Sequence, residues 1–146
     1  MKEEEFMAAR WEQITELFKQ TAQEVTASPS NWRAFLTSAC RNYRLPFDEQ
    51  LLIYAQRPDA TAVLEIERWN QRFGRWVNRG AKGIAVFDRE RPHRLRYYFN
   101  MADTHETKVS LPVPLWRLRP EYEKEVVKTW KTALGSWTTG KILETP

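Results

Sequence analysis

Residues 74–87 read GRWVNRGAKGIAVF, and within this stretch the residue pattern changes from helical to extended. Three of the five glycines of the chain lie here, at positions 74, 80 and 83, beside the three cations Arg75, Arg79 and Lys82. Glycine permits turns that other residues resist, and it lets a ligand or another chain come close. Cations beside such turns indicate an anionic ligand, because exposed N–H groups and positive charge both attract anions. The stretch therefore predicts a glycine-rich turn at 78–83 that leads into a strand.

Two short strands follow from this turn. Residues 84–88 form the first predicted strand, 89–93 a polar turn, and RLRYYFN (94–100) the second. In the second strand Leu95, Tyr97 and Phe99 alternate with Arg94, Arg96 and Tyr98, which divides the residues between two faces. We predict that the apolar face packs on helices and that the face with Arg94, Arg96 and Tyr98 points outward.

Helical spacing dominates the chain on both sides of these strands. Apolar residues three or four apart, with Pro, Gly and polar capping residues between the segments, predict helices over 3–26, 31–43, 48–56, 63–73 and 120–134. Gly74 occupies the position of a helix C-cap glycine. The fold class is therefore predicted as α+β, with N-terminal helices packed on a small twisted antiparallel β-sheet and a C-terminal helix after it. We expect one domain over 1–134 and a flexible C-terminal tail over 135–146.

Charge is concentrated in one segment of the 146-residue chain. Residues 68–96 hold nine cations and two anions, a net charge of +7, so the remainder carries −3 of the total of +4. Such a segment produces a field with a direction. The single cysteine, Cys40, excludes an internal disulfide and is interpreted as a small apolar residue. The acidic start MKEEEF and the lack of an apolar run of about 20 residues predict no signal peptide, no membrane partner and a cytoplasmic location.

Cations and aromatic residues on one sheet face favour single-stranded nucleic acid, since phosphates need positive charge and unpaired bases need flat side chains. The candidate binding residues are Arg72, Arg75, Trp76, Arg79, Lys82, Arg94, Arg96 and Tyr98. The arginines and Lys82 are assigned to phosphates, Tyr98 to base stacking, and Trp76 is a second stacking candidate. Because tryptophan is mostly buried, Trp69 and Trp76 are expected in the core rather than as stacking platforms, which makes Trp76 the weaker of the two stacking candidates. A charged face that only keeps a sheet from aggregating remains an alternative.

The sequence predicts no enzyme, cofactor or metal site. The two histidines, His93 and His105, lie in predicted loops, and no H-E-x-x-H pattern occurs. Asp103, His105 and Glu106 imitate a metal cluster, but three neighbouring loop residues do not define a coordination geometry.

The segment over 46–104 resembles the N-terminal domain of ArdC-type antirestriction proteins and the related segment of large proteins of conjugative elements. The resemblance is carried by LLIYAQRPDAT (51–61), the Trp69 to Gly80 turn region, KGIAVF (82–87) and YYFNMADT (97–104), and PLWRL (114–118) with the last helix extends it. It implies sequence-tolerant binding of single-stranded DNA. The family also carries a metallopeptidase-like domain with H-E-x-x-H, which this sequence lacks, and Asn100 stands where the family pattern has Asp.

We therefore expect a non-catalytic domain that binds single-stranded DNA, either standing alone or belonging to a larger mobile-element protein whose other domains would be partners. The alternative is a protein–protein inhibitor or adaptor that docks on a host defence nuclease, because arginine and aromatic residues also suit interface hot spots. A second alternative is a metal-dependent enzyme. Binding of DNA that weakens steeply with salt separates the first hypothesis from the other two.

Overall fold

The computed structural model describes residues 2–117 and 119–134. Helices α1 (Lys2–Val25), α2 (Pro29–Arg41) and α3 (Phe47–Gln56) come first. Strand β1 (Val63–Leu64), helix α4 (Ile66–Phe73) and strands β2 (Trp76–Val77), β3 (Ile84–Phe87) and β4 (Leu95–Asn100) follow. A 3-10 turn (Met101–Asp103) leads to β5 (Thr104–His105), and α5 spans Pro120–Leu134. The α+β class predicted from the sequence is confirmed, with helices, small antiparallel sheets and a C-terminal helix.

The chain divides into two compact units, Met1–Trp116 and Arg117–Pro146. The first contains α1 to α4 and all the strands, and the second contains α5. The single domain expected over 1–134 stays a prediction, and the flexible tail expected over 135–146 lies outside the described residues.

Local sequence signals explain where the helices begin and end. The hydroxyl of Ser28 accepts a hydrogen bond from the Asn31 N–H at 3.1 Å, so Ser28 is the N-cap of α2. Gly74 ends α4 with φ +61°, a left-handed conformation that glycine adopts without steric cost. A Cβ at Gly74 would lie 2.8 Å from the Val109 carbonyl oxygen, so the close approach of a second backbone also requires glycine here.

Two antiparallel sheets hold the strands. The larger has the order β1-β4-β3, and its register pairs Ile84 with Tyr98 and Phe87 with Leu95. The smaller pairs β2 with β5, with Trp76 opposite His105. Residues 63–64 and 104–105, which were predicted as helix and loop, are strands because each finds a partner far along the chain, β4 for the first and β2 for the second.

Helix α3 covers the free edge of β3. The Gln56 side-chain amide donates to the Ala85 carbonyl at 2.9 Å and accepts from the Ala85 N–H at 3.0 Å. These two bonds replace those of a neighbouring strand, and they close an edge that would otherwise be open to pairing with another chain.

The core of the first unit lies between the helices and the larger sheet. Ile14 of α1 and the α3 residues Leu52 and Ile53 pack with Ile84 and Val86 of β3, and each is at most 2% exposed. Burial of such apolar surface is the main stabilising contribution to the fold. The sheet is therefore held firmly, which fixes where its surface loops begin and end.

Candidate nucleic-acid interface

The nine cations of residues 68–96 fall into two groups in the structure. Four of them form ion pairs with carboxylates: Arg75, Arg89, Arg91 and Arg96. Five are exposed and pair with no carboxylate among residues 2–117 and 119–134: Arg68, Arg72, Arg79, Lys82 and Arg94. Only the second group presents uncompensated positive charge to a ligand.

The face of β4 that was predicted to point outward is covered. Tyr98 is only 7% exposed, and its hydroxyl donates a short hydrogen bond to Glu49, which is 2% exposed. Arg96 contacts Glu49 Oε2 through Nη2 at 3.5 Å and Glu65 Oε1 through Nη1 at 2.7 Å. A buried carboxylate requires donors around it, and Tyr98 and Arg96 supply them. The predicted outward placement of Tyr98 and Arg96 is therefore wrong.

This environment raises the pKa values of both Tyr98 and Arg96. Burial raises the pKa of Tyr98 to about 12, and the hydrogen bond to Glu49 and the charge of Glu49 act in the same direction. Burial lowers the pKa of Arg96, but the neighbouring Tyr98, Glu49 and Glu65 outweigh it, so the net shift of the Arg96 pKa is upward. Tyr98 keeps its proton at neutral pH, and the charge of Arg96 is balanced locally.

Arg75 joins the two strands of the smaller sheet. It is 7% exposed, and its Nε donates to Thr104 Oγ1 at 2.8 Å while its Nη2 donates to the Thr104 carbonyl at 3.3 Å. Its Nη1 lies 3.3 Å from Glu106 Oε1. The predicted surface position of Arg75 is wrong because β5, which the sequence did not reveal, supplies acceptors that draw the guanidinium inward.

Trp76 is the exposed aromatic residue of the β2–β5 ribbon. It is 52% exposed, whereas Trp69 is fully buried and donates from Nε1 to the Phe99 carbonyl at 2.8 Å. The core placement predicted for Trp69 is confirmed, and the core alternative for Trp76 is wrong. His105 lies opposite Trp76, and its Nδ1 is 2.7 Å from Asn78 Oδ1, so the strand pair beneath Trp76 is well held.

Tyr97 is a surface aromatic residue that the sequence interpretation missed. It is 39% exposed, and a Cβ at Gly83 would lie 3.1 Å from the Tyr97 Cβ, which places Tyr97 beside the end of the 78–83 loop. The strand alternation contained the signal, since it places Tyr97 and Tyr98 on opposite faces. The apolar neighbours Leu95 and Phe99 directed the assignment to the wrong face.

The 78–83 loop carries Arg79 and Lys82, begins two residues after Trp76, and ends at Gly83, beside Tyr97. Its base is fixed by the Asn78 N–H, which donates to the Asp103 carbonyl at 2.8 Å. Gly80 has φ +81°, and no atom lies within 4 Å of a Cβ built there, so its surroundings are open. We call Trp76, Arg79, Lys82 and Tyr97 together the loop surface.

The remaining candidates lie at different distances from the loop surface. Arg72 precedes Trp76 by four residues on the last turn of α4, with its guanidinium 5.5 Å from the Phe73 ring centre. Arg94 lies at the other end of the β3–β4 hairpin, because Ile84 pairs with Tyr98 and Phe87 with Leu95. Four residues of strand span about 10 Å, so Arg94 is at least that far from Lys82.

Among residues 2–117 and 119–134, no three His, Cys, Asp or Glu side chains are grouped so that they could hold a metal ion. None of the helices described here has the length and apolar character required to cross a membrane. No protein-family model matches the chain, and searches of curated proteins and of solved structures found no match either.

Proposed function

We propose that the loop surface binds single-stranded DNA with little sequence preference and without catalysis. One observation carries the proposal: Trp76 is 52% exposed and precedes Arg79 by three residues and Lys82 by six, and neither cation has a carboxylate partner among the described residues. A large exposed aromatic residue beside uncompensated cations suits a ligand with both flat rings and negative charge.

An unpaired strand has this combination of groups. Arg79 and Lys82 would contact phosphates, and Trp76 and Tyr97 would stack on bases, at about 1–3 kcal/mol for each stacked base. In an intact duplex the base faces are covered by their neighbours, so stacking favours single strands. The resemblance of residues 46–104 to ArdC-type antirestriction proteins supports the same function, and it is the reason to propose that the chain is a domain of a mobile-element protein.

The proposal differs from the sequence-based hypothesis in its residues. Tyr97 replaces Tyr98 as the stacking partner, while Arg96 and Arg75 become structural because their guanidinium groups already contact protein acceptors. Arg72 is a flanking phosphate contact beside the loop surface, and Arg94 is a more distant one.

A titration of a fluorescein-labelled oligothymidine of about 20 nucleotides, followed by fluorescence anisotropy, tests the proposal. Three or four phosphate contacts give a slope near −2 to −3 in a plot of log affinity against log salt, or about 20- to 50-fold weaker binding at 200 mM than at 50 mM salt. Absence of binding at 50 mM salt would refute the proposed function and favour the protein-docking alternative.

Charge-reversal variants locate the surface. The double variant Arg79→Glu, Lys82→Glu is expected to abolish binding at 200 mM salt. The matched control is Lys19→Glu, Arg33→Glu, which makes the same charge change at two exposed cations on α1 and α2. Equal losses in both double variants would show that net charge, rather than the loop surface, governs binding.

A further inference from the structure

A cleft of about 360 Å³ opens between α1, the end of α3 and the start of β3. This volume lies within the range of sites that hold small ligands. Its polar lining includes Arg10 from α1, Arg57 from the C-cap of α3, and Lys82 and Gly83 from the 78–83 loop, while Ile14 contributes to its apolar wall. Three cations from three separate elements therefore converge on one cavity.

Of these three cations, only Arg57 pairs with carboxylates among the described residues. Arg57 donates to Asp103 Oδ2 at 2.7 Å and to Asp59 Oδ1 at 3.3 Å, and the bond to Asp103 raises the Arg57 pKa. Among the described residues, the Arg10 side chain donates a hydrogen bond only to the neutral Gln13 side chain, at 3.4 Å. Neither Arg10 nor Lys82 pairs with a carboxylate among the described residues. The cleft therefore has two uncompensated positive charges and a third cation held in place by carboxylates.

Backbone donors add to this charge. The N–H groups of Lys82 and Gly83 donate to no acceptor within the described part of the chain. An N–H group without a protein acceptor is available to donate to a phosphate oxygen. The Gln56 amide, by contrast, already hydrogen-bonds to Ala85 of β3 and to the Leu52 carbonyl, and it acts as a wall of the cleft.

We propose that this cleft binds the terminal phosphate of a DNA strand, which deepens the proposed function and rests on it. A terminal phosphate carries a charge of about −1.5 to −2 at pH 7, which matches the two uncompensated cations, whereas an internal phosphodiester carries only one negative charge. Lys82 belongs both to the cleft and to the loop surface. A strand whose bases stack on Trp76 and Tyr97 therefore ends in the cleft, which gives the bound strand a defined polarity.

The test compares three oligothymidines of about ten nucleotides: one with a 5′-phosphate, one with a 3′-phosphate and one with hydroxyl groups at both ends. One phosphorylated form is expected to bind about tenfold more tightly than the hydroxyl form, and the other about equally to it. General attraction by the cationic surface would favour both phosphorylated forms alike, so equal affinities of those two would overturn the inference.

The variant Arg10→Ala distinguishes the contribution of the cleft from that of the loop surface, because Arg10 lines the cleft and is not part of the loop surface. This variant is expected to remove the preference for the phosphorylated end and to leave the affinity for the hydroxyl form within about twofold. The control Lys19→Ala removes an exposed cation of the same helix and should keep the preference. Preference that persists in Arg10→Ala, with an unchanged melting temperature, would overturn the inference.

A measurement without a strand distinguishes failure of the cleft from failure of the proposed function. Thymidine 5′- and 3′-monophosphate are titrated into 15N-labelled protein, with thymidine as the control. Shifts of the Lys82 and Gly83 amides with one monophosphate alone support the cleft. Strand binding without these shifts would overturn the inference and leave the proposed function standing. Shifts without strand binding would refute the proposed function and keep the cleft as a phosphate site.

Discussion

Replacement of Glu49 by Gln should destabilise the protein strongly, because Glu49 is the buried centre of a charged cluster. The side chain is 2% exposed and accepts from the Tyr98 hydroxyl, from Arg96 Nη2 at 3.5 Å and from Arg89 Nε at 3.4 Å. Glutamine has nearly the same shape, so the substitution changes charge and hydrogen bonding without leaving a large cavity. Its amide nitrogen would place a donor against donors from arginine.

The expected loss of stability in Glu49→Gln follows from these contacts. A hydrogen bond to a charged group contributes about 1.5–3 kcal/mol and a neutral one about 0.5–1.5 kcal/mol, so the Tyr98 bond loses about 1 kcal/mol. The two arginine contacts are long, and the Arg96 and Arg89 side chains are 27% and 54% exposed, so they add only about 1–2 kcal/mol together. We expect a loss of about 2–3 kcal/mol in the free energy of unfolding. This corresponds to a melting temperature about 10 °C lower in a unit of this size.

The assay is urea denaturation followed by circular dichroism at 222 nm, with Asp48→Asn as the matched control. Asp48 is the preceding residue in the first turn of the same helix and also pairs with Arg89, but its side chain is 27% exposed. Asp48→Asn should lower the free energy of unfolding by less than about 1 kcal/mol. If Glu49→Gln were no more destabilising than Asp48→Asn, the Glu49 cluster would not be a stabilising element and the argument for an inward-facing Tyr98 would fail.

Two further predictions concern backbone conformation and alkaline pH. Gly74→Ala should lower the free energy of unfolding by about 2–3 kcal/mol, because it adds the strain of φ +61° to a contact of 2.8 Å with the Val109 carbonyl oxygen. The control Gly80→Ala has a similar φ, +81°, and open space around it, so it should cost only about 1 kcal/mol in the same urea titration; equal losses would contradict the packing argument. Because folding raises the Tyr98 pKa from 10.0 to about 12, its contribution to stability should be complete below pH 10 and decline as the pH rises through 12. Tyr98→Phe should flatten this decline, and an unchanged pH dependence of the urea midpoint between pH 10 and 12 would count against a buried hydroxyl.

Local signals in the sequence were sufficient for the presence of the helices and of the β3–β4 hairpin, but not for the two-residue strands. The three- and four-residue spacing of Ile14, Phe18, Ala22 and Val25 predicted α1, and glycine after Phe73 predicted the end of α4. These features depend on interactions between residues a few positions apart, which the chain order makes visible. The cation-rich segment was likewise visible, because charge is a property of composition.

Which cations and rings reach the surface depended on contacts between distant residues. Two-residue strands such as β1 and β5 have no periodicity of their own, and they form only because β4 and β2 pair with them. Arg75 is buried for the same reason, since its acceptor Thr104 lies 29 residues away along the chain.

The sequence by itself determined the α+β class, the presence of the five helices, the β3–β4 hairpin and the segment that holds the positive charge. Only the tertiary structure decided that Tyr98 faces inward and Tyr97 outward. Alternation along a strand shows that the side chains of successive residues point to opposite faces, but it does not show which face a helix will cover. That choice is made by Glu49, which lies 49 residues before Tyr98 and whose buried carboxylate requires the donors that the covered face of β4 supplies.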